Sequence, residues 1–297
     1  MSADSIAAIE AGGTKFICAL YDLHENEIAK TRIETTTPEQ TLSEVIQFYA
    51  SLKAQGHNFN ELGLASFGPL DLDARSSTFG NITKTPKPHW SNAPVVSTLS
   101  SALKVNVKVD TDVNAAALAE TRWGAGKGCS VVVYVTIGTG FGGGLVVNGQ
   151  TLKGLVHPEM GHMRIKVPEG FPMDEPGQCP FHCDCVEGLA SGTSMEKIWR
   201  QSTMDMKPDH PAWDMQAKVV GQFCHNLLMT VSPQKIILGG GVMQQSFLLK
   251  KVIYHTQRML NDYLCLPEGT RIEDIIVTPG LNTDSGLRGA LALVLPQ

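Results

Sequence analysis

The sequence predicts an α/β protein built as two lobes, and three observations carry that expectation. A chain of 297 residues suits two modest domains or two lobes of one fold. Short apolar runs rich in β-forming residues alternate with segments whose apolar positions recur at helical spacing. One unit, a strand, a glycine turn and a second strand, occurs twice, near residues 6–22 and 131–149.

Composition narrows the function classes. An apolar content of 42% with 18% charged residues describes an ordinary globular chain, and a formal charge of −5 gives no basic footprint for nucleic acid. Since no apolar run approaches the length of a membrane span, no membrane partner is expected. MSADSIAAIE shows neither the charged nor the long apolar region of a signal peptide. Cys18, Cys129, Cys224 and Cys265 are scattered through apolar stretches and read as reduced thiols, which points to the cytoplasm.

Residues 6–23, IAAIEAGGTKFICALYDL, read as two strands joined at Gly12-Gly13-Thr14-Lys15. A P-loop would open a helix here, but β-forming residues follow Lys15, so the expectation is a hairpin. Its glycines let backbone approach a phosphate, and an ordinary hairpin turn is the competing reading. Pro38 to Gln55 is helical, with Leu42, Val45, Ile46, Tyr49 and Leu52 on one face. Leu62 to Phe67 is a buried strand ended by Gly68-Pro69; Asn81 to Trp90, NITKTPKPHW, is extended and stiffened by Pro86 and Pro88. A helix is expected over 94–103. The strand VNVKVD then runs into Asp110, Thr111, Asp112 and Asn114 at the head of an Ala-rich helix. Open α/β sheets bind ligands at such strand ends. Asp112 and Asn114 also suit helix N-caps, but one cap leaves a four-residue polar cluster poorly explained, which favours a functional Asp112.

Gly138-x-Gly140-x-x-Gly143 matches a dinucleotide fingerprint, yet LVVNG after it is a strand and an Asn-Gly turn rather than a helix. The duplicated hairpin therefore suggests a pair of turns gripping one polyphosphate. His157 to Glu187 holds the densest chemistry. Cys179-x-x-His182-x-x-Cys185 brings three ligands within reach of one ion, and His162 is the nearest candidate for a fourth. Zinc favours this mixture, and four protein ligands make a site structural rather than catalytic. A Cys179–Cys185 disulfide would close a very small loop and is the weaker reading. Further on, 188–201 and 213–231 are helical, 235–242 is a strand with Gly239, Gly240 and Gly241, and a helix is expected from Met243 to about Leu264. The three glycines fit a flat ligand or tight packing. Ile275 to Val277 reads as the last strand and Ser285 to Leu295 as a closing helix.

IEAGGTK, TIGTGFGGG, HPEMGH with the Cys/His knuckle, and LGGGV, in that order, resemble the motifs of ROK-family sugar kinases (repressor, open reading frame, kinase). The likeness covers essentially the whole chain. TPKPHW and CPFHCDCVEGLASG look most like the bacterial zinc-containing fructokinases. The resemblance implies a two-lobed actin-like, hexokinase-like ATPase (ribonuclease H-like) fold. Its expected parts are residues 1–113 as the smaller lobe, 114–284 as the larger lobe with the knuckle, and 285–297 as a helix packing back on the first. It implies phosphoryl transfer from ATP to a hexose, foremost D-fructose to fructose 6-phosphate, with glucose, mannose or an N-acetylhexosamine as alternatives. It assigns Asp112 as general base, and Gly12, Gly13, Thr14, Lys15, Gly138, Thr139 and Gly140 to the phosphates of ATP with Mg2+. Gly239 to Gly241 border the adenosine. Gly68, Pro69, Lys87, Thr111, Asp112, Glu159, His162 and Glu187 face the sugar, and His162, Cys179, His182 and Cys185 hold structural Zn2+. A homodimer is also implied.

Three departures from the family pattern stand out. Glu10 stands where the first motif commonly has Asp, which bears on how Mg2+ is held; Asp110-Thr111-Asp112 stands where many glucokinases of the family have Glu-Asn-Asp; and Lys87-Pro88-His89-Trp90 stands where those glucokinases carry Asn-Leu before Gly-Trp. Cys183 is a further thiol that competes with His182 for the ion. A sugar-responsive repressor needs an N-terminal helix-turn-helix domain, and the first phosphate strand starts within ten residues. A dehydrogenase fails on the strand after Gly143, and a non-enzymatic sugar-binding regulator fits poorly with a full set of phosphate residues.

Overall fold

The computed structural model describes residues 4–172 and 177–296. In chain order its elements are Ser5–Ala11 (β1), Lys15–Asp22 (β2), Glu27–Glu34 (β3), Pro38–Ala54 (α1), Glu61–Ser66 (β4), Val95–Leu103 (α2), Asn106–Thr111 (β5), Asp112–Trp123 (α3), Val131–Ile137 (β6), Phe141–Val147 (β7) and Gln150–Thr151 (β8). Then follow Val186–Ala190 (α4), Gly192–Trp199 (α5), Pro211–Thr230 (α6), Lys235–Gly239 (β9), Leu248–Leu260 (α7), Ile272–Ile275 (α8), Ile276–Val277 (β10) and Ser285–Val294 (α9).

The chain forms two compact units. The first holds residues up to Arg122, Gly149–His157 and the chain from Thr283; the second holds Trp123–Asn148 and Pro158–Asn282. In the first unit the sheet order is β3-β2-β1-β4-β5, with β1 antiparallel to β2 and parallel to β4. In the second, β10, β9, β6 and β7 lie side by side in that order, with β6 antiparallel to β7 and parallel to β9. Each unit thus starts on a hairpin whose first strand continues into parallel pairing, and the duplicated sequence unit is a duplicated structural one.

Apolar alternation on β1, β2 and β4 buries Ile9, Phe16, Leu20, Leu62 and Leu64 against Tyr49 of α1 and Leu99 of α2. Trp90 is fully buried in this core and satisfies its indole by donating from Nε1 to the Thr36 carbonyl at 2.8 Å. Helix α9 packs on β1 and β4, burying Leu287, Ala290 and Leu291. The second core gathers Val133, Val135, Ile236 and Leu238 of its sheet with Trp213 and Phe223 of α6.

Several elements depart from the sequence expectation. Strand β3 went unread because it is an edge strand whose residues are mostly exposed, so EIAKTRIE carries almost no apolar signal. The helix expected from Met243 begins at Leu248, after a single 3-10 turn at Val242–Gln244, and stops at Leu260, where Asn261 takes the left-handed conformation (φ 46°). The 188–201 segment is split at Ser191, whose extended backbone ends α4 and whose Oγ accepts from Ser194 N–H to cap α5. The last strand loses Ile275 to α8.

Candidate active site and metal cluster

In the first unit the turn Gly12–Thr14 joins β1 directly to β2, so it is a hairpin and not a P-loop. Gly12 N–H donates to the Lys15 carbonyl at 2.9 Å, and a Cβ on Gly13 would meet nothing within 4 Å. Backbone there is open to a ligand. Thr35, buried after β3, clips both ends of the turn: its N–H donates to the Thr14 carbonyl (3.0 Å) and its Oγ1 to the Gly12 carbonyl (2.8 Å). Its own carbonyl accepts from Lys87 Nζ at 3.3 Å. The Lys87–Trp90 loop is therefore docked on the same short segment that holds the glycine turn. Burial pushes the Glu10 carboxyl above its ordinary range, with Lys15 opposing the shift.

The four polar residues at the end of β5 separate into scaffold and surface. Asp110 is fully buried; its Oδ1 accepts from Thr111 N–H and Asn114 Nδ2 at 2.8 Å each, and its Oδ2 accepts from Thr151 Oγ1 at 2.7 Å. Lys153 Nζ lies 3.7 Å from the same oxygen. Asn114 N–H donates to Thr111 Oγ1 at 3.2 Å, which makes Thr111 the cap of α3. The sequence reading had offered Asp112 or Asn114 as that cap. Asp112 is instead the first helical residue, half-buried, with its Oδ1 2.9 Å from Val113 N. At a helix N-terminus the backbone dipole favours a carboxylate. Thr111, expected at the sugar, is buried with its oxygen committed to the cap. After β4, the Gly68–Pro69 corner is held from one side by Thr83, whose N–H and Oγ1 donate to the Pro69 carbonyl (2.7 and 3.1 Å).

In the second unit the Gly138–Gly140 turn links β6 to β7, and the first residue of α5, Gly192, donates its N–H to the Gly138 carbonyl at 2.7 Å. Glu187, in the first turn of α4, accepts from Phe141 N–H through Oε2 at 3.1 Å, and a Cβ on Gly140 would sit 3.0 Å from that oxygen. A residue read as facing the sugar thus touches the second glycine turn. Glu159 is exposed just before the 3-10 turn that carries His162. The three glycines after β9 divide. Gly240 has φ 90° and no room, since a Cβ would lie 2.6 Å from the Ile137 carbonyl carbon. Gly239 is crowded by the Tyr134 hydroxyl, whereas Gly241 faces open space. Tight packing explains the first two, and the third leaves room for a ligand.

His162, Cys179, His182 and Cys185 converge, all four ligand atoms lying within 4.8 Å of one another. Both sulfurs face His162 Nδ1, at 3.6 Å from Cys179 and 3.7 Å from Cys185, and Cys179 Sγ is 4.0 Å from His182 Nδ1. Ligands bonded to one tetrahedral ion at about 2.0–2.3 Å stand roughly 3.3–3.8 Å apart, so the donor set fits a metal ion. The backbone builds this cluster. His182 and Gly188 N–H groups donate to Cys179 and Cys185 Sγ at 3.4 Å each, while Val186 N–H on the Met163 carbonyl straps the histidine segment to the knuckle. Burial and the adjacent Cys179 push the Cys185 thiol up to about 12. All seven cysteines are thiols, so the small-loop disulfide is absent, and Cys183 is exposed outside the cluster, leaving His182 as the convergent residue.

Sequence reasoning missed Thr35, Thr151, Lys153 and His157. Each acts on a group far along the chain, Thr35 on Gly12, Thr151 and Lys153 on Asp110 and His157 on Leu70, so only the fold brings each to the residue it holds.

A fructokinase from Zymomonas mobilis is 45% identical over 97% of this chain and 95% of its own length. A fructokinase from Streptococcus mutans is 38% identical over 96% of each. Among solved structures, a ROK family glucokinase from Streptomyces griseus, in complex with glucose and AMPPNP, has the same fold (TM-score 0.71, 23% identity, 96% of this chain and 97% of that one). The model of the ROK family matches residues 6–297, and with relatives this similar over nearly its whole length the chain belongs to the ROK family.

Proposed function

We propose that this protein transfers the γ-phosphoryl group of ATP to the 6-hydroxyl of D-fructose, with Asp112 as general base. The observation that carries the reading is the carboxylate at the head of α3. Asp110, Thr111 and Asn114 are locked together beneath it, and Asp112 is left half-buried at the helix N-terminus. The choice of fructose rests on likeness to fructokinases over almost the full chain.

In the proposed step the sugar O6–H gives its proton to Asp112, O6 forms a bond to the γ-phosphorus, and the bond from that phosphorus to the β,γ-bridging oxygen breaks, releasing ADP. Little covalent help is needed, so positioning and charge stabilisation carry the rate. Gly12, Gly13, Thr14 and Lys15, with Gly138, Thr139 and Gly140, hold the phosphates through backbone N–H groups and hydroxyls. Gly239, Gly240 and Gly241 border the adenosine, with Gly241 offering the open face. Gly68, Pro69, Lys87, Glu159, His162 and Glu187 position the hexose, while Thr111 acts beneath them as the cap of α3. Mg2+, when bound with ATP, would neutralise phosphate charge, and Glu10, on β1 just before the first turn, is the nearby carboxylate in the chain that would help hold it. Zn2+ in the four-ligand cluster plays a structural part, and His162, ligating through Nδ1, keeps Nε2 for the sugar. Seven thiols without a disulfide suit a reducing cytoplasm, and we assign a homodimer on family resemblance.

ADP release with Mg-ATP, compared as kcat/KM across fructose, glucose, mannose and N-acetylglucosamine, tests the reading. Preference for fructose is expected. Preference for another hexose keeps the kinase and discards the substrate; turnover of none removes both. Asp112→Asn should lower kcat by about 10²–10⁴-fold with the fold intact, and near-wild-type rates would sink its role.

A further inference from the structure

The buried histidine at the end of the Gly149–His157 segment has no part in the mechanism above. His157 is 5% exposed, and its Nε2 accepts from the backbone N–H of Leu70 at 3.0 Å, in the buried interior of the first unit. Its ring lies against the same corner: a Cβ on Gly68 would sit 3.7 Å from Cε1 and 3.8 Å from Nε2. The Pro69 carbonyl, one residue away, is already held by Thr83. Gly68–Leu70 is thus gripped from two sides, by a short-range neighbour and by a side chain 87 residues distant from Leu70. An imidazole nitrogen accepts only when it carries no proton, so the bond fixes the neutral tautomer with hydrogen on Nδ1.

We propose that His157 is a positioning residue of the hexose site, its Nε2 holding the Leu70 N–H and so fixing the Gly68–Leu70 corner against which the sugar binds. The inference rests on the sugar-kinase reading above. Losing the acceptor strands a buried N–H, which must find another partner by moving the corner. A shift of that kind is read as hexose affinity, while the nucleotide turns at Gly12–Lys15 and Gly138–Gly140 keep their own supports.

The test compares His157→Ala with His157→Gln, whose Oε1 can replace Nε2 as acceptor, using the hexose that the wild-type protein turns over fastest. His157→Ala should raise KM for the hexose about tenfold or more, leave KM for ATP unchanged, and His157→Gln should recover most of the loss. An unaltered hexose KM in the Ala variant overturns the inference, as does an equal rise in both KM values for both variants, which marks general damage. Should the Ala variant fail to fold, the 15N shift of Nε2 in the wild-type protein with hexose decides: a protonated Nε2 overturns the proposal, an unprotonated one supports it. A wild-type protein inert on every hexose removes the kinase reading and this inference together, whereas an active one with unchanged variants removes the inference alone.

Discussion

Asp110 is a buried and Glu10 a half-buried carboxylate of the first unit, but only Asp110 is ringed by donors. Thr111, Asn114 and Thr151 supply hydrogen bonds and Lys153 an ion pair. Glu10 sits against Gly286 at the start of α9, where burial is the main influence, Lys15 works against it and Asp284 adds to it. Its carboxyl is therefore raised above the ordinary 4.5. The folded protein holds this proton more readily than the unfolded chain, so the contribution to stability is fully present below pH 4.5 and is lost as pH rises through the raised value. Glu10→Gln should remove that loss. Urea denaturation across pH is expected to show the variant gaining on the wild type from pH 4.5 upward; curves that stay parallel would show that Glu10 is not strained by burial.

Between β3 and α1, the Thr35–Thr37 connection does more than join two elements. Thr35 clips the glycine turn at both ends, its carbonyl takes Lys87 and the next carbonyl takes Trp90. Thr37 then caps α1 by accepting from Gln40 N–H, with Pro38 preset for the first turn. Thr35→Val keeps the shape and removes one hydrogen bond. It should raise KM for ATP roughly fivefold, the equivalent of about 1 kcal/mol, with Thr35→Ser restoring it. Steady-state kinetics with either substrate varied will check this, and a rise confined to the hexose KM would place the effect in the Lys87 loop instead.

Across the whole molecule, the Cys/His cluster links segments that carry proposed sugar residues, because His162 belongs to it and Glu187 follows Cys185 by two residues. Chelation should loosen the segments around His162 and Cys179–Cys185 and weaken hexose binding before ATP binding. Calorimetric titration of each substrate with and without chelator measures the order; equal loss of both, or loss of neither, would count against a metal that supports the sugar site. The elements most legible in the sequence share one property. The hairpin at Gly12, the hairpin at Gly138, the amphipathic α1 and α6 and the Cys179–His182–Cys185 spacing are each set within a few consecutive residues, where backbone geometry and side-chain period act directly. What only the tertiary structure decided lies across long gaps in the chain. Thr151 meets Asp110 over 41 residues, Glu187 meets Phe141 over 46, and His157 meets Leu70 over 87. Such bonds form because buried donors and acceptors must be paired once the sheets and helices have packed. No local period records which distant group will be there to pair with them.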